Sequence, residues 1–315
     1  AVPLQNAAAV GVITQDRETG IYGVLGREPQ TAIPVSIDLL TSAGQHKVFN
    51  FFSVAEPSIA PIIIGSGVST AIKAWSREMG DMTLFVNGKL EVEGVGDIDF
   101  SDSFTSITGA DGLSPFAMLK DKTDSVLSNR FTKARIKKVS VSVKVFDEYR
   151  TLSIDSVSLD RPNFKPGETL SLRITLSQPL KDAKTVTLDI PLPFDLQYGV
   201  GKIVVGDAGA VDAIEGGGST VVNLASLAES LSAKRRPDAV YIYMVLPPSK
   251  VGPPSTDKSV PMQVGDIAAE VKKTSKRLSS NVEEYQVVVG DFQVSGRKEV
   301  EFKVGTAGTM PPGHP

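Results

Sequence analysis

At 315 residues, with 41% hydrophobic and 22% charged side chains, the chain has a globular composition, is long enough for two domains, and needs no metal or disulfide to hold a core. Its 33 basic and 36 acidic side chains are spread without a strong block. This excludes the basic stripe with which nucleic-acid binders displace counterions. Cysteine is absent, which removes disulfides, thiolate metal sites and cysteine nucleophiles together, and no run reaches the ~18 apolar residues of a membrane span.

Small residues in the opening AVPLQNAAAV are compatible with a processing cut, and the given sequence does not open on a charged n-region with an apolar h-region. Residues 8–25 hold two β-rich runs around QDRETG, a hairpin with Gly20 closing its loop. TAIPVSIDLLT and HKVFNFFSV follow as strands. From Ser58 to Met79 the period changes: Ile59, Ile62, Ile63, Val68, Ile72 and Trp75 fall mainly three or four apart, the spacing of one helix face. Pro57 and Pro61 suit its approach and first turn, and Gly65-Ser66-Gly67 then lies inside the helix as close-packing residues. The alternative, a phosphate-cradling loop, needs Lys then Ser or Thr after the glycines, and Val68 and Ser69 stand there instead.

DMTLFVNGKLEVEGV carries Asn87-Gly88, a strong hairpin signal, so the turn is expected there. A helix is expected in GLSPFAMLKDKTDSVLSNRF, capped by Ser114 with Pro115 at its first position. Two alternating strands joined near Glu148 follow, and the charges of KARIKKVSVSVKV (133–145) read as a solvated strand face. Residues 1–150 thus form an α+β domain of antiparallel strands with two helices. Residues 151–315 have the texture of an Ig-like β-sandwich, with Leu170, Leu172, Ile174 and Leu176 alternating against polar neighbours. EGGGST is a connector, VNLASLAESLSAK an inserted helix, DAVYIYMVLPP a strand and KVGPPSTDKSVP a loop. VGDIAAEVKKTSK is a second inserted helix. EYQVVVGDFQVSGRKEVEFKV closes the domain with two strands, before the Gly/Pro-rich tail GTAGTMPPGHP. The fold class is mainly β with α+β character.

Chemistry is sparse. There are only two histidines: His314 in the tail and His46 at the start of a strand, read as a surface residue because no motif marks a nucleophile beside it. The best oxygen-ligand cluster is Asp97, Asp99 and Asp102 in GVGDIDFSDSF, a weak calcium candidate, although the glycine and terminal Glu of a calcium loop are not in register. No other cofactor is expected, and no nucleotide.

VGVITQDRETGIYGVLGREP (10–29) resembles a segment of the SpoIVB-type serine peptidase family: a strand, an Asp-x-x-Thr-Gly turn, then a Gly-Ala-Leu-Gly-His run whose His is the catalytic base. Arg27 occupies the matching position. The family's Gly-x-Ser-Gly-Ser-Pro nucleophile stretch has no counterpart, since Ser66 in IGSGV has Ile64 at the first Gly and no following Pro, and no catalytic role carries over. PVSIDLLTSAGQHKVFNFFSV, IDSVSLDRPNFKPGETLSLRITL, IVVGDAGAV and EYQVVVGDFQVSG resemble the non-peptidase region of large exported bacterial members of that family. The resemblance implies a β-rich architecture and a periplasmic or extracellular setting.

The function expected is a non-catalytic exported module acting through protein partners or self-association. It could be a cell-surface or filament-type subunit whose N-terminal hairpin or Gly/Pro tail reaches the next copy, or a processed fragment of a larger peptidase-like protein. The alternative is part of a SpoIVB-type serine peptidase whose catalytic residues lie outside this chain.

Overall fold

A computed structural model describes residues 11–17, 20–25, 32–76, 80–109, 115–214, 221–232, 235–248, 262–264, 273–279 and 281–305. The protein is mainly β and divides into two compact units, one of Ala1–Tyr149 with Ser219–Lys234 and the other of Arg150–Gly218 with Arg235–Pro315.

In the first unit β1 (Gly11–Arg17) and β2 (Gly20–Leu25) form an antiparallel hairpin closed at Arg17 and Gly20. The main sheet contains β3 (Ala32–Thr41), β4 (His46–Val54), β5 (Met82–Val92), β6 (Gly96–Ser106) and β7 (Ile136–Phe146), in the order β4-β3-β7-β5-β6. Only β3 and β7 run parallel. Strand alternation puts Ile33, Val35, Ile37 and Leu39 on one face, fully buried, and Pro34, Ser36, Asp38 and Leu40 on the other. The buried face packs against α1 (Ala60–Trp75) and α2 (Pro115–Leu127), with Ile64, Val68, Ile72, Leu119 and Val126 sharing its core.

The Gly-Ser-Gly of α1 is helical. A Cβ on Gly65 would lie 2.8 Å from the Phe116 ring, and one on Gly67 would lie 2.3 Å from the Phe51 ring, so both glycines admit close neighbours. The face of α1 differs from the periodic reading, because Ile59 and Ile62 are exposed while Ala60, Pro61, Ile64 and Ala71 are buried. Pro115 opens α2 as expected, and Ser114 lies outside the described residues.

The Asn87-Gly88 turn is a correction. β5 runs unbroken through both residues, with Asn87 opposite Ser101 and Gly88 opposite Phe100, and the chain reverses over residues 93–95. Gly94 (φ 78°) and Gly96 (φ 100°) supply the left-handed backbone that this turn requires. Apolar alternation on both sides of residues 87–88 outweighs the local turn signal, because breaking β5 there would unpair it from two neighbours at once.

The second unit opens with β8 (Thr151–Leu159), β9 (Asn163–Phe164), β10 (Thr169–Ser177), β11 (Lys184–Pro191) and β12 (Gly199–Gly206). The short α3 (Ala208–Ile214), which no sequence signal marked, follows, then α4 (Leu224–Leu231). The unit closes with β13 (Ala239–Val245), β14 (Met262–Val264), β15 (Lys273–Ser279), β16 (Val282–Val288), β17 (Gln293–Ser295) and β18 (Arg297–Val304). Two sheets result, β14-β11-β10-β8-β17 and β15-β16-β13-β12-β18-β9. Leu170, Leu172, Ile174 and Leu176 from the first meet Ile203, Ile242, Tyr285 and Phe302 from the second in one core.

Three expectations change here. Within VGDIAAEVKKTSK, Val264 ends β14 and Lys273 begins β15, so both ends are strands paired to β11 and β16; residues 265–272 lie outside the described set. Three strands, not two, close the chain, because Gly296 (φ 103°) breaks the run between β17 and β18. Finally, α4 is not part of the second unit: Leu224 and Ala228 are buried in the first unit's core. Asn223 caps it, its side chain accepting from the Ser226 N–H at 2.8 Å.

Candidate functional site

The helices cover one face of the first unit's sheet; among the described residues the other, open face is exposed or half-buried except at one end, where Thr83, Phe85, Ser103 and Phe146 are buried. Across its middle the open face is a polar comb: Ser101 Oγ donates to Asn87 Oδ1 at 2.7 Å, and Lys89 Nζ meets Asp97 at 2.9 Å beside Ser36, Ser140 and Ser142. At its β4 margin the character reverses. Val48 (44% exposed), Phe52 (61%) and Val54 (49%) project from β4, with Leu40 (39%) from β3 beside them. β4 pairs only with β3 and ends the sheet, so nine residues of one strand border lack a ladder partner among the described residues. The opposite margin, β6, carries exposed Asp97 and Asp99, the charge with which edge strands are ordinarily blunted. The apolar stripe of β4 was readable in HKVFNFFSV only as a strand. Which alternate positions face water depends on where the helices sit.

Strand parity separates the three aspartates. Asp97 and Asp99 lie on the open face, whereas Asp102 lies on the helix-covered face, beside Lys122 of α2. Among the described residues no group of three acidic or histidine side chains could hold a metal ion. Calorimetric titration with millimolar calcium is expected to give no heat and no change in Tm; a binding isotherm at that concentration would restore the site.

Asp102 and Lys122 are both half-buried and interact through their charges, while the lysine donates to the Leu231 carbonyl at the end of α4, at 2.5 Å. Burial pushes the Asp102 carboxyl above its ordinary value of 3.8, against the opposing pull of the Ser103 N–H and Lys122. Burial likewise draws the Lys122 ammonium below 10.5, against Asp102. The aspartate therefore contributes stability below its ordinary value, lost as pH rises through the raised one. The lysine contributes it above 10.5, lost as pH falls through the lowered value. Burial thus works against the charged form of both groups. Asp102→Asn combined with Lys122→Met should accordingly stay within about 1 kcal/mol of the parent at pH 7 by urea denaturation. A loss of about 3 kcal/mol would contradict this.

His46 Nε2 lies 2.5 Å from Asp38 Oδ1, and both side chains are half-exposed on the open face. Ser66 is exposed on α1, which covers the opposite face, so the sheet stands between this histidine and this serine. Arg27 and His314 lie outside the described residues. Lys137 and Lys138, in the basic stretch, are exposed on β7.

The second unit holds a polar cluster that the sequence did not announce. Arg235, whose side chain is 5% exposed, reaches Glu284 with both Nε (3.2 Å) and Nη2, and reaches Asp212 of α3 with Nη1. Its guanidinium lies 5.6 Å from the centre of the Tyr241 ring. Burial pushes the Tyr241 phenol up to about 12, and its oxygen accepts from the Arg236 N–H at 2.7 Å. Arg236 in turn chelates Asp238. Every charge has an opposite partner, and α3 is thereby held on β13, where Val211, Ala239, Tyr241 and Val288 form a small separate core. This is an anchor.

No family model, curated protein or solved structure matches this chain.

Proposed function

We propose that the chain is a non-catalytic exported bacterial module that works by protein–protein contact, as a cell-surface or filament-type structural subunit or a processed fragment of a SpoIVB-peptidase-like protein. The observation that carries the reading is β4, an apolar sheet margin with no second strand partner among the described residues. The Ig-like reading of the second unit belongs to the same proposal. It is supported by two sheets sharing one core, and by the segment from β8 to β9 contributing to both sheets, with β9 parallel to the last strand. It departs from the immunoglobulin order in that β8, β10 and β11 all pair within one sheet, where the third strand of an immunoglobulin domain crosses to the other. The exported setting rests on the resemblance and on a composition without cysteine.

Sedimentation velocity over a wide concentration range, with electron microscopy of the densest sample, tests the reading. Concentration-dependent assembly is expected. A particle that remains strictly monomeric throughout would end the self-assembly version.

A further inference from the structure

Resting on that reading, we infer that β4 pairs antiparallel with β4 of a second copy of this chain, about a two-fold axis through Asn50. The strand HKVFNFFSV spans His46–Val54, and Asn50 is its midpoint. Full overlap in antiparallel register sets Val48 opposite Phe52 twice, Phe49 opposite Phe51 twice, and Asn50 opposite itself. These pairings match residue types that stabilise neighbouring strands: an aromatic against a β-branched side chain on the open face, and two aromatics on the helix side. Faces agree as well, since an even-numbered position always meets an even-numbered one, and Val48, Asn50 and Phe52 are all exposed on the open face. Asn50 can donate to and accept from its own copy, so a shift of register would leave an amide facing an apolar side chain.

Charge favours the same arrangement. His46 and Lys47 stand at one end of β4, and Glu56 follows the other end. Antiparallel pairing keeps the basic ends of the two copies at opposite ends of the seam, each toward the partner's acidic end, whereas parallel pairing would bring Lys47 against Lys47. The sheet of each first unit would become half of a ten-stranded sheet, five strands from each copy. An isologous two-fold contact of this kind closes on itself, so the seam gives a dimer, and any larger assembly requires a second surface.

The absence of native cysteine makes the test direct. Asn50→Cys introduces a single thiol on the axis, and Asp99→Cys places one on the opposite margin. Under mild oxidation or with a short bismaleimide, Asn50→Cys is expected to cross-link into a dimer at least tenfold faster than Asp99→Cys. Val48→Lys with Phe52→Lys puts lysine opposite lysine twice, and it is expected to raise the dimer dissociation constant by more than tenfold while circular dichroism shows an intact fold. Equal cross-linking of the two thiols, or assembly unmoved by the double lysine variant, would overturn the pairing and leave contact through another surface standing. A parent protein that is monomeric at every concentration would overturn both.

Discussion

Gly88→Ala is expected to lower the stability of the first unit by about 3 kcal/mol, the upper part of the range for overpacking a tight core. A Cβ built on Gly88 would lie 2.2 Å from the Ser140 carbonyl oxygen and 2.5 Å from the Phe100 ring. The ring could swing aside; the carbonyl belongs to β7, the neighbouring ladder strand, and cannot. Trimming the ring with Phe100→Ala should therefore fail to rescue Gly88→Ala. Trp75, the only tryptophan, belongs to the first unit and reports its unfolding by fluorescence. The transition should fall by roughly 10 °C, at the few degrees per kcal/mol usual for this size. Gly44→Ala, at a turn with φ 78° and nothing within 4 Å, is the control, and its cost should be about 1 kcal/mol. Equal effects at the two sites would refute the close approach.

The second large effect is expected in the other unit. Arg235→Ala should destabilise it by about 3–5 kcal/mol, because truncation strands the Glu284 carboxylate, whose side chain is only 11% exposed, and releases Asp212 of α3. Arg235→Lys should recover little of this, since an ammonium cannot span both Glu284 oxygens and Asp212 in one plane. Replacing the partner as well, as Arg235→Met with Glu284→Leu, should cost less than Arg235→Ala alone, because no charge is then left buried without its counterion. In far-UV circular dichroism with denaturant the second unit's loss is expected as an earlier transition, separate from the Trp75 signal, which should hold its midpoint. A loss below about 1 kcal/mol would mean that the cluster is a surface ion pair in its energetics.

Much of the architecture was legible because strand periodicity is local. Leu170, Leu172, Ile174 and Leu176 announced a half-buried strand, and each is fully buried. The helix around Gly65-Ser66-Gly67 was legible for the same reason, although its buried face was not. A nearly continuous apolar run such as Ile62-Ile63-Ile64 leaves the choice of face to whatever packs on it. Where local signals misled, a distant partner had decided. Asn87-Gly88 has turn chemistry, yet β6 and β7 hold it extended. The two ends of VGDIAAEVKKTSK, read as one helix, are strands instead because they pair with β11 and β16.

By itself the sequence determined what can be read within a few residues of the chain: mostly strands, two long helices, no thiol chemistry, and histidines too few and too scattered to suggest a catalytic pair. Tertiary structure alone decided which side of each element meets water. It sent α4 to the first unit's core, set Asp102 apart from Asp97 and Asp99, gathered Arg235, Glu284 and Asp212, and left Val48, Phe52 and Val54 outside. These outcomes depend on contacts between residues tens to hundreds of positions apart, whose energies come from shared burial and opposed charge and leave no periodic mark along the chain.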